Sequence, residues 1–126
     1  MNIESVIRDY MASISRLDAE GWANLFVEEG VLQGPAHQPP IHGRESLRGF
    51  LQQMGGLFAS VEMQPEAIYA GEHEAAACFR IDGVGHNGAK VSERGVIVVE
   101  INDSGLITRV SGYWNPQPML AALMAG

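Results

Sequence analysis

The chain of 126 residues is 46% hydrophobic and 18% charged, which predicts one globular domain over residues 1–126 with enough apolar surface for a packed core. Eight Lys and Arg against fifteen Asp and Glu give a formal net charge of −7, and no basic stripe with interleaved aromatics breaks that acidity, so no nucleic-acid partner is expected. No apolar run approaches the roughly 20 residues of a membrane span, MNIESVIRDYM has no signal-peptide core, and the lone Cys78 forbids an intrachain disulfide; a soluble cytoplasmic protein with no membrane partner is the expectation.

In chain order, Ile3, Val6, Ile7, Tyr10, Met11, Ile14 and Leu17 recur at three- and four-residue spacings, the apolar stripe of a helix packed on a larger body. Asp18 to Gly21 reads as a break. Trp22, Leu25, Phe26 and Val27 then predict a second, short helix, and residues 30–33 a short strand. The segment GPAHQPPIHG, residues 34–43, follows as a loop rich in proline and histidine. Arg44 to Phe58 resumes the helical period through Leu47, Phe50, Leu51, Met54 and Leu57, with Gly55-Gly56 near its end.

Beyond Phe58 the period changes, predicting strands at 60–64, 67–70, 75–84, 91–101 and 106–114, separated by turn-like residues at 70–73, 86–88 and 102–105. Asn87-Gly88 predicts a type I′ hairpin. The apolar, helix-prone tail PMLAALMAG either lies over a pocket mouth or frays. Helices followed by an antiparallel meander make an α+β fold, with the helices covering one face of the sheet. The other apolar face of so small a sheet needs a partner, and a second copy of the chain meets that need, so a homodimer through the outer face is expected.

Metal and cofactor motifs are missing. His37 and His42 lie in one loop, His73 and His86 in separate turns, and there is no HExxH, cysteine pair, GxGxxG, P-loop or GxSxG. The remaining chemistry is that of a pocket. A curved sheet wrapped on a helix leaves an apolar cavity in which polar groups are few and meaningful. Tyr10 lies on the apolar face of the first helix, either bonded to a backbone carbonyl or available to a ligand. Trp114 closes the last strand as wall packing or as a pocket donor. Glu93 is a carboxylate for acid–base work if it faces inward and a solvated partner of Arg94 if it faces outward. Asp82 alternates outward when Phe79 and Ile81 face inward.

Tyr10 within VIRDYMASI, Trp22 to Phe26, the segment PPIHGRESLRGF (39–50), Asn87-Gly88 and the ending GLITRVSGYW (105–114) resemble bacterial ketosteroid isomerases, of the nuclear transport factor 2-like, or SnoaL-like, superfamily. The resemblance covers nearly the whole chain. It implies a cone-shaped curved sheet, antiparallel or mixed, wrapped around N-terminal helices, with a deep apolar pocket and dimerisation through the outer sheet face. It matches Tyr10 to the tyrosine that holds the oxyanion and Trp114 to a pocket-lining tryptophan. Phe26 and Leu51 fall where supporting tyrosines are found, and Phe79, Ile81, Val99 and Val110 complete the expected pocket. Two chemical roles fall on residues that cannot fill them. The proton-shuttling carboxylate falls at Gly34, and the protonated acid of the oxyanion pair at Ile97.

His37, three residues past Gly34, carries an imidazole suited to proton abstraction near neutral pH, and Glu93 is the other candidate base; His42 reads as a loop fastener. The expected function is therefore an isomerase, dehydratase or cyclase acting on a small hydrophobic carbonyl compound, without cofactor or metal. Tyr10 would polarise an oxygen and His37 or Glu93 would move the proton. The alternative is a noncatalytic binding module for an apolar small molecule, favoured by the two missing acids. An accessory chain of a larger enzyme is a third class, which no particular residue supports.

Overall fold

In the computed structural model, which describes residues 2–34 and 38–125, Asn2 opens the first helix, α1 (Ile3–Ser15). Its side-chain oxygen accepts a hydrogen bond from the Glu4 N–H at 2.8 Å. The predicted stripe is the buried face, with Ile3, Val6, Ile7, Tyr10 and Met11 turned inward. The chain reverses at Leu17, whose φ of 53° is uncommon for a branched apolar residue. The N–H groups of Leu17 and Asp18 donate back to the carbonyls of Ile14 and Ser13, which closes the helix end.

Asp18 caps α2 (Ala19–Ala23) by accepting from the Gly21 N–H at 2.9 Å. The second helix expected to run on to Val27 stops here, and Phe26 instead opens β1 (Phe26–Gln33). The sheet takes this segment from the helix. The Leu25 carbonyl accepts from the Ile107 N–H at 2.8 Å, and Phe26 pairs with Ile107. A two-residue strand, β2 (Ile41–His42), pairs antiparallel with β1 and leaves His42 exposed. Next, α3 (Arg44–Gly55) buries Leu47 and Leu51, and the Arg44 Nε–H donates to the Phe26 carbonyl at 2.8 Å, tying the helix start to β1.

The four remaining strands are β3 (Phe58–Ala70), β4 (Glu74–Gly85), β5 (Lys90–Ile101) and β6 (Ile107–Tyr113), followed by α4 (Gln117–Met124). The two strands expected at 60–64 and 67–70 are one, with a bulge between Pro65 and Ala67. A proline is tolerated there because β3 is an edge strand. The strand order is β2-β1-β6-β5-β4-β3 in a curved, unclosed sheet. The expected antiparallel meander is β3 to β6; β1 adds to it parallel to β6, so the sheet is mixed. The Ser15 hydroxyl fastens α1 to the edge of the sheet, accepting from the Met63 N–H at 2.8 Å while donating to the Met11 carbonyl at 2.9 Å.

The turn between β4 and β5 differs from the type I′ expectation. That type needs positive φ at both central residues, and here only Gly88, at 84°, has it. The Gly88 N–H donates to the Gly85 carbonyl and the Gly85 N–H to the Ala89 carbonyl, making a three-residue loop. Asn87 is committed elsewhere. Its amide donates to the carbonyls of Ala122 at 2.9 Å and Ala125 at 2.7 Å, satisfying the end of α4, while its oxygen accepts from the Ala89 N–H. The tail is thereby held as a helix that buries Met119 and Leu123. Among the described residues, no helix is long and apolar enough to cross a membrane.

Candidate active site

Strand pairing decides which side chains face the helices. Residues opposite one another in a ladder share a face, so Phe79 with Gly95, Ile81 with Glu93, and Ala77 with Ile97 project to the inner side. Between this inner side, α1, α2, α3 and Met119 of α4 lies a cavity of about 110 Å³. Its wall is almost wholly hydrocarbon and thioether. Leu51, Phe50 and Met54 come from α3, Phe58, Val61 and Met63 from β3, and Phe79, Ile81 and Ile97 from the central strands. Leu17 reaches it through the left-handed turn and packs over Gly55.

Only three described lining side chains carry a nitrogen or oxygen: Tyr10, Trp22 and Trp114. All three are hydrogen-bond donors, and no carboxylate or imidazole joins them. Tyr10 is 3% exposed and Trp22 1%. Their rings lie 5.8 Å apart, tilted by 59°, and both pack on Phe26, at 6.3 Å from Tyr10 and edge-on at 5.3 Å from Trp22. Burial pushes the Tyr10 phenol well above its ordinary range, so the hydroxyl keeps its proton; the neighbouring Trp22 N–H opposes that rise. The Trp22 Nε1 is itself buried, out of reach of solvent, beside the Tyr10 ring. Among the described residues no carbonyl accepts from the Tyr10 hydroxyl, so the backbone-bonded alternative for this residue is not what the fold contains.

Gly34 and Gly112 meet across β1 and β6 at the cavity wall. A Cβ on Gly34 would stand 3.0 Å from the Gly112 Cα and backbone N, and one on Gly112 would stand 3.7 Å from the Trp114 Nε1. The position where the resemblance calls for a carboxylate is thus tight for a side chain, since the Gly112 backbone would have to give by a few tenths of an ångström. Trp114 is half-buried and packs edge-on against Phe79 at 6.0 Å.

The sequence-derived candidates sort as follows. Tyr10, Gly34, Leu51, Phe79, Ile81, Ile97 and Trp114 line the cavity. Phe26, Val99 and Val110 are fully buried but lie behind the wall as core. Glu93 is half-buried on the inner face, opposite Ile81, yet is not part of the cavity wall. Arg94 pairs with Glu66 at 2.9 Å, so it is not the partner of an outward Glu93. Asp82 points outward as expected and pairs with Arg80 at 2.9 Å, which holds its carboxyl below the usual range. His37 lies outside the described residues. Ile14, Leu17, Trp22 and Met54, expected only as helix faces, also line the cavity, as do Met63, for which no pocket role was expected, and Met119 of the tail.

Comparison with known proteins agrees with this architecture. The family of SnoaL-like domains matches residues 7–110. An uncharacterised PhzA/B-like protein of Pseudomonas aeruginosa is 30% identical over 136 aligned positions, covering 98% of this chain and 91% of its own. Among solved structures, a candidate polyketide cyclase from Xanthomonas campestris pv. campestris superposes with a TM-score of 0.78 at 24% identity, covering 96% of both chains. The epoxide hydrolase/cyclase-like enzyme SalBIII, with a role in pyran ring formation in the polyether salinomycin, superposes with a TM-score of 0.81 at 18% identity, covering 91% of this chain and 92% of its own. A protein of Mycobacterium tuberculosis gives 0.81 at 22% identity, covering 90% and 91%.

Proposed function

Because this chain belongs to the SnoaL-like domain family of the nuclear transport factor 2-like superfamily, we propose that its cavity is the active site of a cyclase or isomerase acting on a small apolar compound with a carbonyl or related oxygen. One observation carries the reading: a buried tyrosine hydroxyl with no acceptor among the described residues, set in a wall whose other described side chains are apolar or tryptophan. An acid–base enzyme needs such a donor where charge develops on oxygen. In this scheme Tyr10 donates to the substrate oxygen and His37, which lies outside the described residues, takes the proton from carbon; Glu93, which is not in the cavity wall, is not assigned that step. The descriptions of the structural neighbours as cyclases favour ring closure or isomerisation over hydride or phosphoryl transfer. The cavity suits a ring-sized group, somewhat below the roughly 150 Å³ that holds benzene in an engineered core. Met54, Met63 and Met119 are the side chains most able to repack around a larger ligand.

Two measurements bear on this reading. Turnover of a 3-oxo-Δ5 steroid, followed by absorbance of the conjugated product, is expected at background, since neither Gly34 nor Ile97 can handle a proton. Exchange of α-hydrogens of cyclohexanone in deuterated buffer, followed by mass spectrometry, is expected to run faster with the protein than without it. A ketone that binds without accelerated exchange would instead support the noncatalytic binding module, which the lack of a base among the described wall residues favours.

The outer sheet face is proposed to be covered by a second copy of the chain. Tyr69 and Tyr113 are 69% and 53% exposed there, beside half-buried Cys78, Val96 and Val98. Beside this patch Arg80 pairs with Asp82 and Arg94 with Glu66, while Glu74 and Glu100 face each other at one end of the same sheet face, so the apolar centre rather than charge is what would bring two copies together. Sedimentation equilibrium should give twice the 13.6 kDa chain mass and, for Tyr113→Asp, a shift toward the single chain; a wild-type monomer at tens of micromolar would refute the pairing.

A further inference from the structure

Leu17 stands in the cavity wall in a backbone conformation that leucine rarely takes. Among the described residues it is the sole non-glycine with a positive φ, 53°, where Gly or Asn is the favoured occupant. The turn explains the conformation but not the side chain. Leu17 follows the Arg16 cap of α1, and the Leu17 and Asp18 N–H groups donate to the Ile14 and Ser13 carbonyls, a helix ending in which glycine is usual. An apolar residue after the turn commonly packs back on such a helix, but here that residue is Asp18, whose carboxylate caps α2 instead. A disfavoured backbone held at a cavity points to a use for the side chain it carries. That side chain lies on the last residue of α3: a Cβ built on Gly55 would stand 3.3 Å from the Leu17 Cδ2. Ile14, Leu17, Met54 and Gly55 are partly exposed lining residues, whereas Tyr10, Leu51, Phe79 and Ile97 are buried. The ends of α1 and α3 are therefore a solvent side of the cavity, and the contact of Leu17 with Gly55 closes it there.

We propose that Leu17 is a specificity-determining residue: held by its turn across Gly55, it ends the cavity after one ring, so that the chain takes single-ring apolar ligands in preference to fused-ring ones. The cavity of about 110 Å³ has no room for a second ring behind its wall, so a longer ligand must displace a side chain. Toward Leu51, Phe79 and Ile97 that would mean moving packed core. Toward the ends of α1 and α3 it means moving a half-buried leucine, and Gly55 brings no side chain of its own to take its place. A shorter residue at position 17 would therefore lengthen the cavity at this end and nowhere else. The left-handed turn makes the stop rigid, because it fixes the direction in which the side chain leaves the backbone. The inference rests on the proposed binding of an apolar ligand in this cavity but not on the chemistry at Tyr10.

Isothermal titration calorimetry with cyclohexanone and with 2-decalone, its fused-ring counterpart, tests the proposal. The wild-type chain is expected to bind cyclohexanone and to bind 2-decalone more weakly. Leu17→Gly suits the positive φ, so the fold is expected to persist, with 2-decalone affinity rising about tenfold and cyclohexanone affinity changing less than about twofold. Leu17→Asn, which also tolerates this backbone, should act in the same direction and decides the matter should Leu17→Gly fail to fold. A leucine that serves only the turn or the core would move both affinities by one factor, and that result would overturn the proposal. Wild type binding 2-decalone as tightly as cyclohexanone would overturn it too. Binding of neither ketone by any of the three proteins would overturn it together with the proposed active site. Size selection without α-hydrogen exchange would count against the catalytic reading alone.

Discussion

Tyr10→Phe is expected to abolish most catalysed α-hydrogen exchange while leaving the chain as stable as before or slightly more so. The two effects separate because the hydroxyl does nothing for the fold: it is buried and, among the described residues, has no acceptor. Removing a buried polar atom without a partner is neutral to stabilising, by up to about 1 kcal/mol. Removing one donor to a developing oxyanion typically lowers the rate by about 10² to 10³. A purely structural tyrosine would show the reverse, with lower stability and unchanged exchange.

The same substitution should alter the response to alkali. Burial holds the phenol protonated in the folded chain above its ordinary value of 10.0. Once pH passes that value an unfolded chain has lost this proton while the folded chain keeps it. The unfolded state then binds fewer protons, and stability falls as pH rises until the folded phenol itself ionises. Tyr10→Phe removes this contribution, so urea midpoints of the two proteins should diverge above pH 10, in favour of the variant.

Phe26→Ala is expected to cause the largest loss of stability in the chain, about 3 to 5 kcal/mol. Phe26 is fully buried at the first residue of β1, where its ring packs tilted against Tyr10 at 6.3 Å and edge-on against Trp22 at 5.3 Å. Truncation leaves a void behind the cavity wall that the rigid strand pairing with Ile107 cannot collapse into. For a domain of this size that loss lowers the thermal midpoint by well over 10 °C, on the order of 3 to 6 °C per kcal/mol, readable by calorimetry. Phe26→Leu should recover most of it. A midpoint within a few degrees of wild type for Phe26→Ala would show that the aromatic cluster is not what positions the site.

Much of the fold was legible because its elements are long and strongly patterned. The stripe from Ile3 to Met11 and the alternation through Ala75, Ala77, Phe79 and Ile81 each specify an element and its buried face. Legibility failed where partners remote in sequence decide. Phe26 and Val27 fit a helical period locally and become a strand because Ile107 pairs with the segment from 81 residues away. Asn87 read as a turn residue, yet its side chain is spent on the carbonyls of a helix 35 residues later. The site was legible at Tyr10, Trp114 and the vacancies at Gly34 and Ile97. Trp22 was legible only as a helix-face residue, because its place in the cavity wall beside Tyr10 is a property of the packed interior. The crowding of Gly34 by the Gly112 backbone was equally hidden, since it exists only once β1 and β6 lie side by side.

The central claim is that the Tyr10 hydroxyl donates to a ligand oxygen inside the cavity. Infrared difference spectroscopy of ¹³C=O-labelled cyclohexanone bound to the protein tests it at the bond concerned. The carbonyl stretch is predicted to fall below its frequency in hydrocarbon solvent, with much of that displacement lost in Tyr10→Phe. A bound carbonyl that vibrates as it does in hydrocarbon, or that is unaffected by Tyr10→Phe, would contradict it.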